Sequence, residues 1–512
     1  MQNYIKTFNS ASIDLQLSID TILIKDIELD LKSRSPIVAF LYGLRQLLMN
    51  ESAVYELKLL LDKYNTGVSK RHGRPGMSLW IVILLAAVKQ ELRCSDDNLA
   101  FYANSLLPLR LMMGHSLKDK TRYTRQALHA NISSLDSELL KALNRLIVKF
   151  GHQEVGHQDE VVLNTHADSK VCLTNVEYPT DLRLLWNSCT SLIACCVSFA
   201  YAFGLTGWRQ HKSIKQKLEK LYKHSCKRRR TAYRLNKVMR YLKYSNWVGE
   251  KAKEMLGALT AQKEEIMARL EGSTPSSADR ILLEQIEEAT QKICLYLDYI
   301  ALFSDQIIRR VINNETIPTQ EKIYSIYKPF TRWIVKGKAG VMCELGVPVA
   351  VVEDSYQFVL GYCIEWKGGD IDIAVSLVKD IEEQYPHLKM TCSFDLGFYS
   401  PEVRRQLETE TRLETVGMSQ RGRLPKKEKA RQNTQEYKDA REGHSRIESC
   451  MNVLNHRGMR LIREASEEGF ERAVACTIIT VNLHRLGTLI QARELKRLRR
   501  KEKQRKRLRL AA

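Results

Sequence analysis

Three acidic residues far apart in the chain, Asp168, Asp395 and Glu448, stand where carboxylate chemistry is possible. Asp395 ends the apolar, β-leaning run "LKMTCSFD" and is followed by a glycine and a helix-like segment. An aspartate in that position is ordinarily a helix N-cap. Here Ser400-Pro401-Glu402 already supplies a capping hydroxyl, a proline at the first helical position and an acid in the first turn. That leaves Asp395 at the C-terminal end of a strand, where open α/β sheets hold ligands. Asp168, in "HADSKV", lies on or just past a strand, and Glu448 flanks a helical stripe of Ile447, Met451 and Leu454. Taken singly, Asp168 is an ordinary polar strand residue and Glu448 a surface glutamate near Arg446. Jointly they can converge on one divalent-metal site, and hard oxygen ligands suit Mg²⁺ or Mn²⁺. Two ions roughly 3.5–4 Å apart activate an attacking oxygen and stabilise the leaving one in an in-line phosphoryl displacement.

The elements that must position these residues are read from periodicity. Residues 1 to about 155 are helical, with "SLWIVILLAAVKQELRC" starting after the breakers Gly73, Pro75 and Gly76 and with Ser78 as its cap. Such a set of short helices suits a helix-turn-helix DNA reader, and equally helical packing without DNA contact. "EVVLNTHADSKVCLTNV" is the first strong strand signal. Helical texture returns from 185 to 320, then "GVMCELGVPVAVVEDSYQFVLGYCIEW" reads as strands with a turn at Glu353-Asp354-Ser355. The helix "DIAVSLVKDIEEQY", the strand "LKMTCSFD", a helix from Ser400 and the strand "RLETVGM" follow. This order describes a mixed α/β sheet interrupted by an all-α insertion. "SQRGRLPKKEKARQNTQEYKDAR" reads as a long basic loop before the helix carrying Glu448, and "ARELKRLRRKEKQRKRLRL" as a basic helix or arm.

The chain of 512 residues holds 80 Lys and Arg against 59 Asp and Glu, a formal charge of +21 that makes nucleic acid the first partner to consider. Its twelve cysteines form no CxxC pair, which argues against zinc ribbons and thioredoxin-like motifs and suits a reducing compartment. The start "MQNYIKTFNSASIDLQLSID" lacks a secretory pattern. The apolar runs "LWIVILLAAV" and "SLIACCVSFAYAFGL" fall short of the ~20 residues of a membrane span. The expectation is a soluble, intracellular protein without membrane association.

Spaced blocks carry a resemblance. "DSKVCLTNVEYPTDLRLLWN", "KIYSIYKPFTRWIVKGKAG", "SFDLGFYSPEVRRQL", "GHSRIESCMNVLNHRGM" and "GFERAVACTIITVNLHRLG" resemble, in order, blocks of DDE-type insertion-sequence transposases of the ISNCY-like group. The resemblance implies an RNase H-like catalytic core (156–184 and 321–465) split by the helical insertion (185–320). A helical N-terminal domain (1–155), expected to bind DNA, and a C-terminal helix with basic tail (466–512) complete the organisation. It implies Asp168, Asp395 and Glu448 as the catalytic, metal-binding triad, with two Mg²⁺ or Mn²⁺ ions. The implied activity is binding of terminal inverted repeats, metal-dependent DNA cleavage and strand transfer by a homo-oligomer on double-stranded element ends and target. Arg421, Arg423, Lys426 and Lys427 of the basic loop and Arg497, Arg499 and Arg500 of the tail are the expected DNA contacts. Leu396 stands where the family commonly has a basic residue. Asn455 stands where many relatives have a phosphate-contacting lysine two turns after the glutamate, and the resemblance passes that role to Arg457. A nuclease of the same fold, or a transposase-derived DNA-binding protein without catalysis, are the alternatives.

Overall fold

The computed structural model describes residues 22–64, 76–156, 162–227, 231–270, 276–338, 341–386, 389–420 and 422–511. The N-terminal twenty-one residues, Gly73, Pro75 and Arg421 therefore lie outside the described residues. Contacts divide the chain into two units, Met1–Asn175 with Ile334–Ala512, and Val176–Trp333.

In the first unit, the α-helices that precede the sheet among the described residues are α1 (Pro36–Met49), α2 (Glu51–Tyr64), α3 (Leu79–Leu92), α4 (Asp96–Ser105), α5 (Leu107–Met112), α6 (Arg125–Ser133) and α7 (Ser137–Val155). Every residue of α3 from Trp80 to Val88 is buried, so this helix is apolar all round and central to its core. Ser78 occupies its N-cap position without a side-chain capping bond. Ser95 and Asp136 do cap α4 and α7, accepting from Asn98 N and Glu138 N.

β1 (Val162–Thr174) follows, and the chain then forms the second unit: α8 (Asp181–Ala202), α9 (His211–Ser225), α10 (Thr231–Arg269) and α11 (Ser277–Ile307). Leu185, Cys189 and Leu192 of α8 pack with Leu218, Tyr241, Val248, Ile293 and Phe303 in a separate core. The apolar run beginning at Ser191 is thus part of a 22-residue helix, longer than the run alone suggested. By length and composition it and Glu467–Arg505 could cross a membrane, yet both contribute side chains to protein cores.

The first unit resumes at Ile334, within β2 (Arg332–Lys338), and continues with β3 (Val341–Asp354), β4 (Val359–Ile364), α12 (Asp370–Gln384), β5 (Lys389–Phe394), α13 (Pro401–Glu410) and β6 (Leu413–Met418). Ser400 caps α13 through Val403 N, with Pro401 at the first helical position, as the sequence predicts. The turn between β3 and β4 falls after Asp354, whose Oδ1 accepts from Tyr356 N (2.9 Å) and Phe358 N (2.8 Å); Glu353 stays in the strand.

The expected basic loop is not a loop. It contains α14 (Lys426–Gln432) and α15 (Gln435–Arg441), followed by α16 (Arg446–Leu454), the two-residue strand β7 (Leu461–Ile462) and the long helix α17 (Glu467–Ala511). The buried Glu428 carboxylate joins Arg404 (2.8 Å) and Arg431 (2.7 Å), and Arg431 also donates to Val416 O and Met418 O at the end of β6.

The seven strands form one mixed open sheet in the order β2-β3-β1-β5-β6, with β4 also on β3 and β7 also on β1. β1 is antiparallel to β3 and parallel to β5, and β5 is parallel to β6. Alternation gives the sheet two unlike faces. Leu163, Ala167, Ala350, Val352, Cys392 and Phe394 lie in one hydrophobic core with Leu85, Phe150 and Ile479. The other face carries Asn164, His166 and Asp168 of β1, Thr391 and Ser393 of β5, and Glu353 of β3, in register. Here α15 packs on β5 and β6, and α16 on β1.

Candidate active site

Parallel pairing of β1 with β5 runs from Val162↔Lys389 to Ala167↔Phe394. The next positions in that register are Asp168 and Asp395, and Asp395 N donates to Ala167 O at 3.4 Å. The two aspartates therefore sit side by side across strands spaced by roughly 4.8 Å. Asp168 is within β1 rather than at its end; what ends there is β5. Further along, β7 pairs with β1 at Leu173 and Thr174. Asp395 starts a single 3₁₀ turn, Leu396–Phe398, and its carboxylate makes no capping bond. Asp168 Oδ1 accepts from Ser169 N at 2.7 Å. Asp395 is exposed and Asp168 half-buried.

Glu448 lies in the first turn of α16, exposed, while Ile447, Cys450, Met451 and Leu454 of that helix are buried. The helix that carries it packs on the strand that carries Asp168. Among the described residues no three His, Cys, Asp or Glu side chains close into a metal-ligand cluster. The structure thus brings the two aspartates together and leaves Glu448 outside a closed ligand set.

A polar layer lies beneath the pair. Ser393 Oγ is 2.7 Å from His166 Nδ1 and 2.8 Å from His444 Nδ1, so the hydroxyl donates to one ring and accepts from the other. Burial, then the opposing His444, Arg446 and Arg441 charges, lowers the His166 pKa to about 4. Burial and Arg441 lower that of His444 to about 4, against the pull of Asp395. Arg441 donates to Phe394 O (2.7 Å) and Gly417 O (3.3 Å), satisfying carbonyls where β5 and β6 end. Glu353, directly across from His166, is 2% exposed, and its Oε2 has no hydrogen-bond partner. Burial and the adjacent Asp354 push its pKa up to about 8, so it keeps its proton at neutral pH.

The expected DNA-contacting cations divide. Arg423, Lys426 and Lys427 are exposed around the start of α14, and Arg497, Arg499 and Arg500 are exposed on the distal part of α17. Arg457 is not a surface cation: its guanidinium pairs with Glu91 of α3 at 2.8 Å, and Glu91 also bonds His484 at 2.9 Å. It lies in the kinked segment Asn455–Met459 that follows α16, where Gly458 has φ +121° and a Cβ would run into Gln90 Oε1. The cation that meets Asn455 is instead Lys170, two residues beyond Asp168 on the same strand face, bonded to Asn455 Oδ1.

His166, Ser393, His444, Glu353 and Lys170 escaped the sequence reading. The period of two was the available signal for three of them. His166 and Lys170 flank Asp168 by two positions and Ser393 precedes Asp395 by two, so each shares its aspartate's face.

No protein family, curated protein or solved structure matches the chain.

Proposed function

We propose that the chain is a DDE-type transposase, with an RNase H-like core that cleaves DNA at the ends of a mobile element and joins it to a target. The observation that carries the reading is that Asp168 and Asp395 occupy the positions directly after the last pair, Ala167↔Phe394, of two neighbouring parallel strands, beside a helix bearing Glu448. The strand order β4-β3-β1-β5-β6, with only the β1–β3 and β3–β4 pairs antiparallel among these five, supports the RNase H-like core.

Carboxylate oxygens fit a hard divalent cation, and the two aspartates present them from adjacent backbone positions. Asp395 carries no capping bond, and Asp168 Oδ1 accepts from Ser169 N. Asp168 and Asp395 would hold Mg²⁺ or Mn²⁺, and Glu448 would complete the set when α16 is seated on DNA. Bound there, the metal would supply Lewis-acid stabilisation of the phosphate and a more acidic attacking hydroxyl. Lys170 places a cation beside Asp168 on the same strand face, and its bond to Asn455 orients it. The neutral His166–Ser393–His444 chain and Arg441 fix the β5 end and α15, so that the aspartate pair is pre-organised.

The test is cleavage and joining in vitro on the DNA that flanks the coding sequence, with Mg²⁺ or Mn²⁺. Strand breaks at the flanks followed by covalent joining to a second duplex are expected. Cleavage without joining would make the protein a nuclease of the same fold, and specific binding without cleavage would leave only a DNA-binding protein.

A further inference from the structure

We infer that α9 and α10 of the helical unit form a binding surface for unpaired nucleotide bases, on which a single strand of DNA stacks while its phosphates meet lysine and arginine. The inference deepens the proposed function, taking from it only that the nucleic acid is DNA; the surface itself is read from this unit alone.

Charge is strongly segregated in the unit. Residues 209–251 hold fifteen Lys and Arg and two acids, Glu219 and Glu250, whereas residues 252–321 hold twelve acids and seven Lys and Arg. The excess is therefore confined to α9, α10's first half and the link between them. An anionic partner is the complement of such a surface.

The second observation is aromatic. Tyr233, Lys237, Arg240, Tyr244, Trp247 and Lys251 recur at three- and four-residue steps and so form one stripe along α10. This stripe flanks the buried one of Val238, Tyr241, Leu242, Ser245, Val248 and Ala252, so it is not the helix's core face. Tyr233 is 48% and Trp247 45% exposed. Tyr244 and Trp247 are stacked, with centroids 5.1 Å apart and planes at 21°. From α9, Lys217 Nζ lies 4.6 Å from the Tyr244 centroid, and Lys237 Nζ lies 4.9 Å from that of Tyr233. Exposed rings held in place by neighbouring cations offer π-faces to any base, while the ammonium groups remain beside the phosphate track. A duplex keeps its bases stacked internally and could use only the charges. The rings therefore single out an unpaired strand.

The full-length chain is titrated by fluorescence anisotropy against an oligothymidylate of about 20 nucleotides, longer than one such groove, and against a duplex of the same length. Trp247→Ala and Tyr233→Ala should each weaken oligothymidylate binding about 10-fold and leave duplex binding within about twofold, with the salt dependence unchanged. Arg240→Gln should lower the single-strand salt slope by about 0.7. Met267→Ala, exposed on the same helix outside the stripe, is the control and should match the parent. Oligothymidylate affinity unchanged in Trp247→Ala overturns the inference, as does an equal loss on duplex. A change of sedimenting mass in Trp247→Ala would mark the surface as a protein interface and overturn it too. If Asp168→Asn abolishes cleavage but retains stacking, both readings stand. A chain that never cleaves DNA yet binds the single strand through Trp247 would remove the carboxylate reading and keep this one.

Discussion

The two faces of the sheet use the same strands for opposite purposes. One is Leu163, Ala167, Val352, Cys392 and Phe394, closed against α3, α7 and α17 in the main core. The other is Asn164, His166, Asp168, Ser393 and Glu353, lying beneath α15 and α16. On the apolar face, neighbours are interchangeable by volume and the stabilisation comes from area removed from water. On the polar face each group needs its own partner, since a buried polar atom left unpaired costs about 1–3 kcal/mol. The difference teaches that the first face makes the sheet stable, while the second uses that stability to hold groups water would otherwise solvate. Asp168 and Asp395 lie where the polar face reaches solvent, at the point where β5 stops and β1 continues.

The comparison breaks first, and most severely, at the acids. Asp168→Asn, Asp395→Asn and Glu448→Gln should each lower cleavage on the order of 1,000-fold, several kcal/mol of transition-state stabilisation. End-DNA binding should stay near the parent value in a mobility-shift titration. Robust cleavage by any of the three would remove that residue from the proposed triad. The apolar face should behave oppositely. Phe394→Ala should cost about 3–5 kcal/mol of folding stability in urea titrations, because the ring is fully buried and packs 5.7 Å from Phe398. Its neighbour Ser393→Ala should cost only about 1–2 kcal/mol, leaving the two imidazoles without their shared hydroxyl. Equal losses at the two positions would mean that the faces do not differ in kind.

Glu353 sharpens the contrast through pH. Its folded pKa is raised to about 8 from an ordinary 4.5. Below the ordinary value the carboxyl is neutral folded or unfolded. Between the two values only the unfolded chain releases the proton, so stability falls as pH rises, and above about 8 the loss is complete. Glu353→Gln should therefore stabilise the protein at pH ~8.5 by about 2–4 kcal/mol and have little effect near pH ~4.5. A pH-independent effect of the substitution would show that the carboxyl is not held neutral. The smallest expected effect is on the arm. Deleting the segment after Arg493 should weaken duplex binding about 10-fold and reduce its salt slope by at least about 2. An unchanged slope would make the exposed end of α17 a solvated helix only.

The strands that carry the aspartates were legible because they are β-branched or alternate with a period of two. The start of α13 was legible because Ser400 and Pro401 are unambiguous chemistry. α14 and α15 were not, since what holds α14 is not an apolar stripe but Glu428 with Arg404 and Arg431, and Arg431 and Arg441 bonded to strand carbonyls. Apart from the Glu428–Arg431 pair, those partners lie 13 to 47 residues apart and leave no periodic trace. The same reason hid the true place of Arg457, whose partner Glu91 lies 366 residues earlier. β7, two residues long, gives no pattern at all. For the candidate site, the aspartates could be found and the histidine–serine chain could have been found by alternation, but Glu353 needed the register of β3 against β1.

One consequence of the split first unit concerns assembly. β1 must pair with β3 and β5 across the whole of Val176–Trp333, so the strand pairs that juxtapose Asp168 and Asp395 join residues far apart in the chain, His166 and Ser393 being 227 positions apart. Loop-closure entropy grows only with the logarithm of length, about 0.6 kcal/mol per doubling, so the interruption weighs little on the finished sheet. It weighs on the rate, because ordering so long a loop precedes the reward of pairing. During synthesis β1 emerges long before its partners, with the amides and carbonyls of both edges unanswered. The aspartate pair comes into being only when β5 arrives, which leaves a truncated chain unable to form it.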